Sequence, residues 1–373
     1  MKLTVERKEL TERLSIMSKV VRKNSIMPSL EGIILLPLSD NEVEIKGSNL
    51  RTNLTLRIPS KVEGRKTSII PLRGLLDVLR KLPDEHVILE LTENEVKLHA
   101  KSSDYSFRTY IPDEYPDVTW SVDGIRLSVA SKELLRCLNE TSFATSSSSE
   151  YAPSYSQGIQ LEVSDGKLTV AASDGQRLAV SYFDLDSAED VGMCAVPVLS
   201  FSEISSLISS GEIVDLVFSD RYIAVESVMG VAVLSKLNVR IPDYGPVLEK
   251  AVATDSVGVF DRGELVAVLD RLVSVSSDSY LVKVEFGETS VFDTVGLTSG
   301  TGSERVECEY SGDSVTVYLS IKHLLSALKS LTEGKVELFV QESMVAMRKH
   351  GVDDFIYVVS TASVADENTS EYE

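Results

Sequence analysis

Cysteine is scarce: the 373-residue chain has only Cys137, Cys194 and Cys308, an odd number, widely spaced. No disulfide framework or zinc-type CxxC pair can be drawn from them, and a reducing compartment is expected. Histidine is nearly as rare, and His86, His99, His323 and His350 lack the spacing of a ligand set, so no metal or other cofactor is expected. No apolar run approaches the roughly 18 residues that a membrane span needs. The opening MKLTVERKEL is too polar for a secretion signal, and a cytoplasmic protein without membrane contact is expected. There is no GxxxxGK[ST] loop, and GTGS at 300–303 lacks the third glycine and the strand-to-helix setting of a nucleotide fingerprint. Positive charge is in deficit too, 37 Lys and Arg against 57 Asp and Glu, a net −20. Affinity for phosphate depends on Lys and Arg, so this balance argues against nucleic acid unless the basic residues are segregated on one surface.

What the chain does have is repetition. LTVER alternates, KELTERLSIMSKVV sets Leu10, Leu14, Met17 and Val21 on one helical face, and GIILLPL, EVEIKG and NLTLRIP read as strands. This βαβββ order recurs with other letters until the chain holds six such units. The helices are expected at 7–23, 72–82, 131–140, 199–210, 261–273 and 320–330. YIPDEYPDV at 110–118 and RIPDYGPVL at 240–248 echo one another 130 residues apart, so the units pair. The fold class is α+β, with three tandem domains at 1–119, 120–250 and 251–362 and a polar, acidic extension at 363–373. Ser146 to Ser149 reads as a loop within the second domain. A period near 125 residues is far longer than that of solenoid repeats and indicates tandem domains. Each such domain leaves strand edges that a neighbour or a second copy can cover.

VAASDGQRLAV at 170–180 is a hairpin signal, because Asp174-Gly175 stands between two alternating runs and glycine accepts a positive φ. With MKLTVERKEL, PSLEGIIL and LSKLNVRIPDYGPVL, it resembles the bacterial sliding clamps, the beta subunits of DNA polymerase III, over essentially the whole chain. That resemblance implies a non-enzymatic processivity factor: a head-to-tail homodimer closing a ring, helices inside, around duplex DNA without regard to sequence. It also implies a pocket between the second and third domains for short hydrophobic peptides of the replicative polymerase, the clamp loader and repair proteins. Matching positions for the pocket walls are Ser173, Gly175, Gln176, Arg177 and Leu178, then Pro242 and Val247, then Met344, Ala346, Val358 and Ser360, with Arg177 expected as a polar rim.

The expected helices carry a net +6 in the chain of −20, as a ring with a DNA-facing inner wall would. Outward cations expected to meet phosphate are Lys8, Lys19, Arg22, Lys23, Arg73, Arg80, Lys81, Lys132, Arg136, Lys322 and Lys329. For the junction between copies, edge strands are expected at Tyr105 and Phe107 and at Glu307 and Glu309, with Leu272 and Val275 beneath and Arg73 or Lys97 placed to pair with the acids. The sequence departs from the family pattern at Pro153, Pro246 and the polar end STASVADENTSEYE. A phage or accessory clamp with altered partners is therefore an alternative, as is a β-rich surface or adhesion module. A hydrolase built on Ser173 and Asp174 fits poorly, since that serine is in a hairpin and not on a strand-to-helix elbow.

Overall fold

The computed structural model describes residues 1–146, 153–186, 190–275, 280–295 and 300–362. Two expectations, the loop at Ser147 to Ser149 and the extension at 363–373, lie outside the described residues.

The first unit of the repeat is β1 (Lys2–Glu6), α1 (Arg7–Val20), β2 (Gly32–Pro37), β3 (Glu42–Ser48) and β4 (Thr52–Pro59). A short β5 (Lys61–Glu63) leads to the second: β6 (Ser68–Pro71), α2 (Leu72–Leu79), β7 (His86–Leu91), β8 (Glu95–Ala100) and β9 (Ser103–Arg108). The third is β10 (Ile125–Ala130), α3 (Ser131–Ser142), β11 (Gly158–Ser164), β12 (Lys167–Ser173) and β13 (Arg177–Asp184). The fourth is β14 (Gly192–Pro197), α4 (Val198–Ile208), β15 (Ile213–Phe218), β16 (Tyr222–Ser227) and β17 (Gly230–Ser235). After α5 (Gly245–Val252) come β18 (Val257–Asp261), α6 (Arg262–Val275), β19 (Leu281–Phe286), β20 (Thr289–Val295), β21 (Ser303–Glu307) and the extra β22 (Glu309–Ser311). The last is β23 (Val315–Ser320), α7 (Ile321–Ser330), β24 (Lys335–Val340), β25 (Met344–Lys349) and β26 (Val352–Ser360).

The helices form where the apolar spacing demands. In α1, Leu10, Leu14 and Met17 are buried on one face, and Val21 is the capping residue whose N–H bonds to the Met17 carbonyl. Ser320 caps α7, its hydroxyl accepting from the His323 N–H at 3.3 Å. No helix is expected from the sequence at α5, yet GPVLEKAV has a proline in the first turn and Lys250 in the last, both favourable to a short helix.

The backbone forms two compact units, residues 1–135 with 196–236, and residues 136–195 with 237–373. In the first, one sheet has the order β5-β1-β7-β8-β9 and another β10-β15-β16-β17-β4-β3-β2-β6. In the second, the sheets are β14-β11-β12-β13-β26-β25-β24-β18-β22 and β21-β20-β19-β23. The units therefore follow the shared sheets, not the sequence repeat: β4 pairs with β17, and β13 with β26. Gly230 makes the first of these seams possible, because a Cβ there would lie 2.0 Å from the Thr55 carbonyl oxygen. The five-stranded sheet ends in β9 and the four-stranded sheet in β21, each a terminal strand.

Candidate peptide cleft and cationic helix surface

The β12–β13 hairpin is organised by one carboxylate. Oδ1 of Asp174 accepts the N–H groups of Gln176 and Arg177, both at 3.0 Å, while its Oδ2 takes the Arg177 Nε at 2.8 Å. Gly175 has φ +91°, a conformation that favours glycine, and a Cβ there would crowd the Pro153 ring at 3.3 Å. The Ser173 hydroxyl closes the turn by donating to the Arg177 carbonyl at 2.8 Å.

Beyond the turn, register brings the expected pocket residues together. Leu178 lies opposite Val358, and Val358 opposite Ala346, so these three side chains form one row across β13, β26 and β25. The next row on the same face runs Ala171, Val180 and Ile356. Above it pack Ile241, Tyr244, Leu248, Ala251 and Val252 from α5 and the segment before it, with Tyr155 and Met344 at the margins. The Ile241 N–H donates to the buried Gln160 side chain at 3.1 Å, and Gln341 Nε2 caps α5 at the Lys250 carbonyl at 2.6 Å. Burial pushes the Tyr244 hydroxyl up to about 12. Met344 faces Ser360 at the end of the sheet, and the Ser360 N–H donates to the Gln176 carbonyl. Pro242, on the segment before α5, and Val247, on α5, are exposed and lie outside the packed cluster.

Arg177 does not form an open polar rim. Its Nη1 donates to Ser326 on α7 at 3.1 Å and its Nη2 to the Thr145 carbonyl at 3.4 Å, and the guanidinium lies over Phe143. It is a strut that positions the hairpin, and only 12% of its side chain is exposed. Beside it, His323 is held below its ordinary 6.5 by burial and then by the Arg177 charge, with Asp174 opposing. Neutral His323 therefore contributes stability that is fully present above its unfolded value and is lost as the pH falls through its lowered folded value. The thermal midpoint should drop as the pH goes from about 7.5 to about 5.5, and drop less in His323→Gln. Equal drops in differential scanning fluorimetry would contradict this.

The eleven cations expected to face DNA divide into engaged and free groups. Arg136 is drawn inward: it bonds to Glu140 at 2.9 Å, to Asp354 at 3.1 Å and to the Tyr182 carbonyl, in a cluster that Lys349 completes. Arg73 is turned onto the end of α1, donating to the carbonyls of Ser18 and Val21. Arg22 pairs with Glu203, Arg80 bonds to Ser15, Lys19 to Ser206 and Lys329 to Asp270, while Lys322 lies over the Tyr280 ring. Among the described residues Lys8, Lys23, Lys81 and Lys132 are exposed and make no ion pair or side-chain hydrogen bond. Most of the engaged cations are taken up by partners distant in the sequence, which helical spacing alone does not show.

At the edges, Tyr105 is 38% exposed on β9, and Phe107 packs toward Gly74 on α2. Glu307 ends β21, but Glu309 does not share that edge. At Cys308 the chain leaves β20, its N–H going to the Glu288 carbonyl, and β22 pairs with β18 instead. Glu309 is bonded to Lys335 at 2.7 Å, and Lys97 to Glu95 at 3.0 Å. Leu272 is buried, and with Val275 it meets the space beside Gly302 at 3.0 Å, directly before β21.

Residues 1–119 match the family model for the DNA polymerase III beta subunit N-terminal domain, and 128–243 that for its central domain. The beta sliding clamp of Pseudomonas aeruginosa is 25% identical over 369 residues, 96% of this chain and 99% of its own. That of Staphylococcus aureus is 25% identical over 359 residues, 91% of this chain and 92% of its own. The crystal structure of the Bacillus subtilis DNA polymerase sliding clamp superposes with a TM-score of 0.90 at 20% identity, covering 98% of this chain and all of that one. A Pseudomonas aeruginosa sliding clamp bound to griselimycin superposes with a TM-score of 0.89 at 22% identity, with 98% of this chain and 100% of that one covered. The sixfold βαβββ order, the sheets shared across repeats and the matched sequence span agree, and the chain belongs to the DNA polymerase III beta subunit family, the bacterial beta sliding clamps.

Proposed function

We propose that two copies of this chain join head to tail, β9 of one beside β21 of the other, and close around duplex DNA as a processivity factor. The observation that carries the reading is the pattern of sheets: the eight- and nine-stranded sheets join strands of different repeat pairs through β4–β17 and β13–β26, whereas the five- and four-stranded sheets stay within one pair and leave β9 and β21 as terminal strands. The three-domain division at 1–119, 120–250 and 251–362 belongs to this proposal, as does a cytoplasmic site of action. No helix among the described residues is long and apolar enough to cross a membrane. The ring catalyses nothing and tethers other proteins: replicative polymerase, clamp loader and repair proteins dock short hydrophobic peptides on the Leu178, Val358 and Ala346 row. Griselimycin, bound by the Pseudomonas aeruginosa clamp, is the probe of that cleft.

Light scattering should give twice the monomer mass, and loaded protein should stay on nicked circular DNA and slide off the same DNA once linearised. A monomer with no dependence on topology would sink the proposal. Phosphate contact through the free lysines supplies loose, sequence-independent attraction. Replacing Lys8, Lys81 and Lys132 by Gln should weaken binding uniformly across sequences and reduce the log–log salt slope by about 0.9 for each phosphate no longer neutralised. An unchanged slope in a filter-binding titration against salt would remove these residues from the DNA surface.

A further inference from the structure

The strands that open the first, third and fifth units of the repeat, β1, β10 and β18, differ in one respect. β1 lies between β7 and the short β5, and β18 between β24 and the short β22, whereas among the described residues β10 pairs with β15 alone and ends its sheet. The two short strands take the same place. Counted back from the helix that follows, Lys2 to Thr4 and Val257 to Val259 both correspond to Arg126 to Ser128. Each short strand runs antiparallel and sets an apolar residue at its centre, Val62 opposite Leu3 and Tyr310 opposite Gly258.

The open side of β10 presents unbonded backbone. The Ser131 N–H donates to the Glu212 carbonyl at 2.9 Å, which makes Ile125, Leu127 and Val129 the residues bonded to β15. Antiparallel alternation then turns the N–H and C=O groups of Arg126, Ser128 and Ala130 to the open side, where no backbone bond reaches them among the described residues. The devices that usually blunt an edge are missing. The strand holds no proline, its register with β15 runs without a bulge, and its one cation, Arg126, is folded back across the sheet onto Asp215 at 2.8 Å and Glu226 at 2.6 Å. Ile125, on the face of Leu127, is 45% exposed and offers an apolar landing. Charge is in excess on one side: Asp215 and Glu226 stand against Arg126, and Asp123 and Glu212, exposed near the two ends of the strand, make no ion pair among the described residues.

We infer that β10 receives an extended segment of a partner protein, added antiparallel as a ninth strand of this sheet, with an apolar residue opposite Leu127 and a basic residue beside Ser128 and Asp215. Neither ring closure nor the Leu178 row is needed for it. A second copy of β10 fits less well, because it would set the acids of one sheet beside the same acids of the other.

The test uses the full chain and the fluorescein-labelled peptide Gly-Ser-Lys-Val-Glu-Val-Ser-Gly, the sequence of β5 extended by a valine to cover Ile125, followed by anisotropy. In the register of β5 on β1, the Lys and Glu N–H groups of the peptide bond to the Ser128 and Arg126 carbonyls, and the N–H of the valine between them points away. Binding should saturate, weaken about tenfold or more when the Lys or Glu nitrogen is methylated, and stay unchanged when that valine nitrogen is. Ser128→Pro removes a donor that β15 does not use, so the β10–β15 ladder and the thermal midpoint should survive while the peptide is lost. Ile125→Lys, a substitution at an exposed position, should weaken the peptide likewise, and Leu178→Asp should leave the titration unchanged. Absence of saturation, equal loss from methylating valine and lysine, indifference to both Ser128→Pro and Ile125→Lys, or loss in Leu178→Asp would each overturn the inference. It is equally overturned if Ser128→Pro halves the mass seen by light scattering, which would make this edge a junction between copies.

Discussion

Griselimycin titrated against Leu178→Asp should show an affinity loss of more than about 100-fold relative to the unsubstituted chain, corresponding to about 2.7 kcal/mol. Leu178 is 7% exposed, in the middle of the row that joins β13 to β26 and β25. Removing an apolar side chain from such a row gives up roughly 1.5 to 3 kcal/mol of burial. A carboxylate left there would be covered by any docked apolar group, and covering an unpaired charge costs several kcal/mol more. The second effect acts against the bound state, whereas the first acts on the fold, since Leu178 is already buried in the free chain. Because the same aspartate also strains the sheet, Val247→Asp serves as a second variant: Val247 is 42% exposed on α5, and its substitution should leave the thermal midpoint within a degree or so while costing about tenfold in affinity. Unchanged calorimetric titrations for both variants would take the ligand away from this face.

The repeat was legible in the sequence because its strands alternate and its helices carry apolar residues at helical spacing, and both periods survive into β1 to β26 and the six helices of the repeat. The hairpin at Asp174 was legible for a local reason: its bonds are nearly all within four residues of one another. Partners distant in sequence were not legible. Nothing near Arg177 in the sequence announces Ser326 or Thr145, so a strut looked like a rim. Arg136 likewise finds Asp354 across more than 200 positions, and its charge is consumed before any DNA could meet it. The packing of α5 on this sheet had a signal in the sequence: Tyr244, Leu248, Ala251 and Val252 recur at helical intervals around Pro246. RVECEYS alternates straight through Cys308, so the sequence alone reads Glu307 and Glu309 as one edge, and only the change of partner from β20 to β18 divides them.

Replacing both Tyr105 and Phe107 by Asp should halve the mass seen by light scattering at micromolar concentration and reduce retention on nicked circular DNA to that on linear DNA. Two terms set the size of this effect. The first is apolar contact: Tyr105 and Phe107 supply the ring area that β9 offers, and exposed ion pairs contribute only about 0 to 1 kcal/mol each, so the aromatic surface must dominate. The second is charge. In β21, Glu304 is already satisfied by Arg271 at 2.7 Å, whereas Glu307 has no such partner among the described residues. Aspartates laid beside that edge would meet like charge, and like charges directly opposite in a sheet destabilise the pairing. Tyr105→Asp alone separates the junction from the fold, because Tyr105 is partly exposed while Phe107 packs toward α2. It should shift the dimer equilibrium toward monomer and leave the thermal midpoint of the diluted protein nearly unchanged. If the double variant remains dimeric and still distinguishes nicked circles from linear DNA, β9 is not the strand that closes the ring.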